Sequence, residues 1–171
     1  MKDLLSIFYP SYYTKNTYSI DFKKLKELGI KGIIFDIDNT LVPHDAPADK
    51  KAFRLIEELK EMGFKLMIVS NNEEPRVKLF ADALGCPYVF KALKPAATGY
   101  LEAFKKTGLK KEELICIGDQ IFTDIWGANR AGLKSILVGR LYPYEPPHIH
   151  LKRMLEYPVK LKYLKYRKKR G

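Results

Sequence analysis

Two rhythms of apolar residues alternate along this chain. Short runs with little polar interruption occur at Gly32 to Phe35, Lys65 to Val69, Tyr88 to Phe90, Leu114 to Ile117 and Ser135 to Val138. Runs of that length without a polar face read as strands buried on both sides, as in a parallel sheet. Between them apolar residues recur at helical spacing: Phe22, Leu25 and Leu28; Phe53, Ile56 and Leu59; Val77, Phe80 and Leu84; Leu101 and Phe104. Ser19 or Asp21, and then Asp49, stand where N-caps belong, and Pro75 and Pro95 suit first turns. Gly29, Gly63, Gly85 and Gly108 stand where helices stop. A further helix is expected from about Thr123 to Arg130. The order βαβαβαβαβ predicts a three-layer α/β domain: a Rossmann-like parallel sheet of five strands with helices on both faces.

The two ends break this pattern. Residues 4–18 mix Leu, Ile and Phe with four tyrosines and a proline. They are expected to pack across the domain surface; contact with a membrane interface is the alternative, because Tyr has an apolar body and a polar tip. Near the other end Leu151, Met154 and Leu155 lie at i, i+3 and i+4, Pro158 is expected to interrupt, and Leu161 and Leu164 recur among lysines and tyrosines. The expected organisation is a domain over residues 1–150 and a basic extension over 151–171.

Charge sharpens that division. Of a net +11, residues 151–171 contribute nine Lys or Arg against one Glu. Such a segment seeks polyanions. Residues 151–157 are expected to pack on the domain as a helix. Residues 159–170 are expected to meet anionic phospholipid, where each cation contributes about 1 kcal/mol near the surface. Nucleic acid competes for the same segment, since Lys and Arg interleaved with Tyr suit phosphate contact and base stacking. A length of 171 residues and a hydrophobic share of 46% fit one globular domain. No run reaches the length of a membrane span and the start lacks a leader's apolar core, so a cytoplasmic protein is expected, peripheral at a membrane if the tail binds lipid. Cys86 and Cys116 sit in apolar stretches and read as core thiols. His44, His148 and His150 are too scattered for a zinc site, and the last two read as solvated loop.

Each strand run ends on a group with chemistry: Asp36 and Asp38 after the first, Ser70 after the second, Lys94 after the third and Asp119 after the fourth. Ligands bind at the carboxyl ends of parallel strands. Taken singly, Ser70 reads as a turn cap, Lys94 as a surface lysine, and Asp119 with Asp124 as the start of a helix. Taken together they bring acids, a cation and donors into one site. Two carboxylates at one strand end repel unless a cation lies between them, and Mg²⁺ would take hard oxygen ligands from Asp36 and Asp119. The chemistry this set can perform is phosphoryl transfer. Asp36 attacks phosphorus, Asp38 acts as general acid and then base, and Lys94 with the Ser70 hydroxyl stabilises charge on the equatorial oxygens.

Asp36-Ile37-Asp38-Asn39-Thr40, Ser70 after a strand, Lys94-Pro95, and Gly118-Asp119-Gln120-Ile121-Phe122-Thr123-Asp124 resemble, in that order, the four motifs of the haloacid dehalogenase-like hydrolase superfamily. The resemblance covers about residues 31–139. It implies Asp36 as nucleophile, Asp38 as an acid/base residue that also offers its backbone carbonyl to Mg²⁺, and Asp119 as the residue completing the metal site. Asp124 is implied as a further ligand or an anchor. Thr40 and Asn71, within the first and second motifs, are expected substrate contacts. The Tyr-rich lead, Val69-Ser70-Asn71-Asn72 and the basic tail further resemble the subfamily IIIA, YqeG-like phosphatases. That group is related to phosphatidylglycerophosphate phosphatases of fungal mitochondria and plant plastids.

Only 32 positions separate Asp38 from Ser70, and 24 separate Ser70 from Lys94. Capped members of the superfamily insert whole domains there, so no cap domain is expected. An open cleft suits a macromolecule, a lipid headgroup, or closure by a partner subunit. The expectation is a Mg²⁺-dependent phosphomonoester hydrolase working through an aspartyl-phosphate, with phosphatidylglycerophosphate as the leading substrate. A soluble phosphate ester or phosphoprotein is the alternative within the enzyme class. Outside it stands an RNA- or ribosome-binding protein with a secondary phosphatase site.

Overall fold

The computed structural model describes residues 4–168. Six strands form one parallel sheet: β1 Tyr12–Thr14, β2 Gly32–Phe35, β3 Lys65–Val69, β4 Tyr88–Val89, β5 Leu114–Gly118 and β6 Lys134–Val138, in the order β1-β6-β5-β2-β3-β4. Five of them lie at the expected runs. The sixth, β1, comes from the tyrosine-rich lead and pairs with β6 at the sheet edge. Three residues with no fully buried side chain leave no apolar run for a sequence reading to detect.

The helices are α1 Phe22–Glu27, α2 Lys50–Glu61, α3 Glu74–Leu84, α4 Thr98–Thr107, α5 Trp126–Ala131 and α6 Pro147–Lys168. Asp21 and Asp49 cap α1 and α2, accepting from Lys24 N at 2.9 Å and Ala52 N at 2.8 Å. Alternation along the central strands sends side chains to two cores. Ile33, Phe35, Leu66, Ile68, Ile115 and Ile117 meet Leu25, Ile56, Leu59 and Phe80 from α1 to α3. Ile34, Met67, Val69 and Cys116 meet Tyr100, Ala103 and Ala128 from α4 and α5. Cys86 and Cys116 are both buried free thiols.

The lead packs across the domain: Phe8 sits edge-on to Phe122 and Trp126, with ring centroids 5.2 and 5.1 Å away. The far end differs from its sequence reading. α6 continues through Pro158, and the boundary expected at residue 150 falls inside it. Proline removes the N–H that would serve the carbonyl of Met154, and both residues lie on the exposed side, where water can take that carbonyl. His148 and His150 belong to the first turns of this helix, not to a loop. α6 buries Ile149, Glu156, Val159 and Tyr163, and Val159 and Tyr163 pack with Tyr9, Ile121, Ile125 and Leu137. The anticipated contact residues Leu151, Met154 and Leu155 face outward instead, 60%, 72% and 60% exposed. Among the described residues, no helix is long and apolar enough to cross a membrane.

Candidate active site

The chain leaves β2 toward β3 and later returns on the other side of β2 with β5, so these adjacent strands form the switch point of the sheet. The register pairs Phe35 with Ile117. Asp36 N still donates to Ile117 O at 3.0 Å, so the Asp36 side chain emerges at the strand end beside Asp119. Asp36, Asp119 and Asp124 bring carboxylate oxygens within 4.8 Å of one another.

Asp124 reaches this cluster because the chain after β5 is wound more loosely than the expected α-helix from Thr123. Ile121–Ile125 forms a π turn that leads into α5. Gln120 N donates to Asp124 Oδ2 at 3.0 Å, closing the turn. Gly118 makes the approach possible: a Cβ there would lie 2.4 Å from Asp124 Cβ and Cγ.

Lys94 arrives from the opposite side. Its ammonium donates to Asp36 Oδ1 at 2.6 Å and Asp124 Oδ1 at 2.7 Å. Burial opposes its charge, but the Asp124 and Asp36 carboxylates outweigh burial and hold it above the ordinary lysine value. The loop delivering it contains two left-handed non-glycine residues, Lys91 and Leu93 with φ 43° and 55°, each costing about 1–3 kcal/mol. Asn71 fastens that loop, donating to Lys94 O at 3.0 Å and accepting from Lys94 N at 2.7 Å. Asn71, expected to contact substrate, lines the cleft while its amide holds Lys94.

The other expected residues divide. Ser70 is buried at the end of β3, lines the cleft, and accepts from Asn72 N at 3.2 Å. Asp38 also lines the cleft and accepts from Asn72 Nδ2 at 2.7 Å, Asp45 N at 2.9 Å and Arg76 Nη2 at 3.3 Å. Thr40 is fully buried behind Asp36, its hydroxyl 3.5 Å from Asp36 Oδ2, and does not line the cleft. The cleft over Asp36 has a volume of about 150 Å³ and is bounded further by His44, Gln120, Thr123, His148, Ile149 and Lys152.

Arg153 was not anticipated. Its Nη1 donates to Asp119 O at 2.6 Å and its Nη2 to the Asp119 carboxylate, while Nε and Nη2 also grip Glu145. Glu145 in turn accepts from Asn39 Nδ2 at 2.8 Å. In the sequence Arg153 is one cation among nine; the signal that marks it is Glu156, the single acid of that segment, one helical turn on.

Burial pushes Asp36 well above the ordinary carboxylate range, only partly offset by Lys94. Burial likewise lifts Asp119 to about 7, against the pull of Arg153. Asp119 Oδ1 is buried without a hydrogen-bond partner among the described residues. An orphaned hard oxygen among three crowded carboxylates fits a divalent cation of the Mg²⁺ type.

The haloacid dehalogenase-like hydrolase family model matches residues 44–132, a stretch containing Ser70, Lys94, Asp119 and Asp124. The chain is 48% identical over 136 residues to the probable phosphatase YqeG of Bacillus subtilis, covering 79% of each chain. It is 32% identical over 151 residues to phosphatidylglycerophosphate phosphatase 1, chloroplastic/mitochondrial, of Arabidopsis thaliana, covering 82% of this chain and 43% of the plant protein. Its fold is shared with the crystal structure of a HAD-superfamily hydrolase from Ehrlichia chaffeensis, with a TM-score of 0.54 at 18% identity over 64% of this chain and 91% of that one. The chain belongs to the haloacid dehalogenase-like hydrolase family, as a phosphatase of the YqeG-like group.

Proposed function

We propose that this phosphatase is a Mg²⁺-dependent phosphomonoesterase that passes through an aspartyl-phosphate on Asp36 and acts on phosphatidylglycerophosphate. The observation that carries the mechanism is the largely buried Asp36 carboxylate, which lines the cleft and is fixed by Lys94 at 2.6 Å beside Asp119 and Asp124. Asp36, Asp119 and Asp124 would hold Mg²⁺, which when bound supplies positive charge between a phosphate dianion and these carboxylates.

The chain's own residues then have distinct tasks. Lys94 holds Asp36 in one rotamer, opposes the effect of burial on its carboxylate, and offsets charge on the phosphoryl oxygens. Asp36 forms a bond to phosphorus as the ester oxygen leaves. Asp38 gives that oxygen a proton, and later takes one from the water that cleaves the acyl phosphate. Asn72 and Arg76 orient Asp38 for both transfers. The Ser70 hydroxyl is a donor toward the phosphoryl group, and Asn71 acts indirectly by setting the Lys94 loop.

Support for the lipid comes from the plant relative's name and from α6. Its outward face pairs Leu151, Met154, Leu155 and Leu161 with a strongly basic segment, a combination suited to an anionic membrane surface. Phosphate release would be measured from phosphatidylglycerophosphate in mixed micelles and from soluble phosphomonoesters, with Mg²⁺ and with chelator. A Mg²⁺-dependent preference for the lipid is expected. Turnover of soluble esters alone would keep the mechanism and discard the lipid.

A further inference from the structure

The cleft contains a cation that the mechanism above does not use. Two lysines line it, Lys94 and Lys152. Lys94 is spent on Asp36 and Asp124. Nearby guanidinium groups are spent as well: Arg76 on Asp38 and Ala46 O, Arg153 on Asp119 and Glu145. Lys152 is half-buried and, among the described residues, has no hydrogen bond or ion pair. An unpaired ammonium on the wall of this cleft is available to an anion carried by a ligand.

Its position is fixed by its neighbours. His148, Ile149 and Lys152 fall at i, i+1 and i+4 on α6, so one face of the helix lines the cleft. One residue on, Arg153 is clamped to Asp119 and Glu145, which pins the backbone that carries Lys152. Lys152 and Asp36 line the same cleft, so the alcohol side of a substrate whose phosphoryl group meets Asp36 can extend past Lys152.

We propose that Lys152 is a specificity residue: it binds a second anionic phosphate group carried on the alcohol side of the phosphomonoester. The proposal rests on the phosphomonoesterase reading and narrows it to substrates with two phosphate groups. A lipid headgroup and a soluble bisphosphate share this chemistry.

The test is calorimetric titration of the Asp36→Asn protein, with and without Lys152→Gln, using three ligands: glycerol phosphate, glycerophosphoglycerophosphate and a hexose bisphosphate. Lys152→Gln is expected to weaken a two-phosphate ligand about tenfold, the size of one charge-assisted contact, and glycerol phosphate by less than about twofold. Lys152→Arg should restore most of the difference. A Lys152-dependent gain with glycerophosphoglycerophosphate assigns the headgroup; the same gain confined to the hexose bisphosphate keeps the second-anion site and makes its source soluble. A preference untouched by Lys152→Gln, or no preference in the parent protein, overturns the proposal. Failure of the phosphomonoesterase reading would appear separately, as absence of phosphate release by the native chain.

Discussion

Arg153, in the middle of the C-terminal helix, donates both to the carbonyl of Asp119 and to its carboxylate, 34 residues back along the chain. A helix that reads in sequence as a basic appendage is therefore fastened to an acid of the candidate metal cluster. Arg153→Met should destabilise the fold by about 3 kcal/mol, since it leaves buried Asp119 without its counter-charge and Glu145 with Arg140 alone. Urea unfolding would measure this. Arg153→Lys should recover only part, because an ammonium cannot reproduce the forked contact. Loss below about 0.5 kcal/mol would show that the contact is not structural.

Glu156 should impose a pH dependence on stability. Burial raises its carboxyl to about 7 from an ordinary 4.5, despite the Phe122 N–H and Arg153. Between those values the folded chain holds a proton that the unfolded chain has released, so Glu156's contribution is full below about pH 4.5 and is lost as pH rises to 7. Glu156→Gln keeps an acceptor for Phe122 and removes the titration. The variant should show a flatter stability profile across this window, by up to about 3 kcal/mol, in denaturant unfolding at stepped pH.

Gly118→Ala tests the close approach of Asp124. The added methyl would meet the Asp124 side chain at 2.4 Å, and overpacking of this kind costs about 1–3 kcal/mol. Because Asp124 also holds Lys94, phosphate release should fall together with stability.

Divalent cation binding should appear in the thermal midpoint. A ligand that binds only the folded state at a hundredfold excess over Kd stabilises by about 2.7 kcal/mol. Adding Mg²⁺ to chelator-treated protein should raise the midpoint, and Asp119→Asn should abolish most of the rise. An equal rise in the variant would place the cation elsewhere.

Legibility in the sequence follows how local the determining physics is. β2, β3 and β5 are buried on both faces, so composition alone marks them; Asp21 and Asp49 cap their helices through contacts three residues away. The placement of Asp36, Ser70, Lys94 and Asp119 at strand ends follows from those runs. What escaped detection depends on distant partners. β1 exists because β6 offers an edge. Thr40 is buried beside Thr17, whose Oγ1 donates to Thr40 O at 2.6 Å, and Asn71 stays on the cleft wall with its amide bonded to the Lys94 backbone. α6 has two comparably apolar faces, and its choice of Ile149, Val159 and Tyr163 over Leu151, Met154 and Leu155 follows the ion pairs of Arg153.

The most direct test of the account is the fate of Asp36 during turnover. Enzyme quenched in acid while hydrolysing a phosphomonoester would be digested and its Asp36 peptide examined by mass spectrometry, alongside Asp36→Asn. The account predicts a phosphoryl group on Asp36 in the native chain, and no phosphate release from the variant despite a preserved fold. Sustained hydrolysis by Asp36→Asn, or a phosphoryl group on another residue, would contradict it.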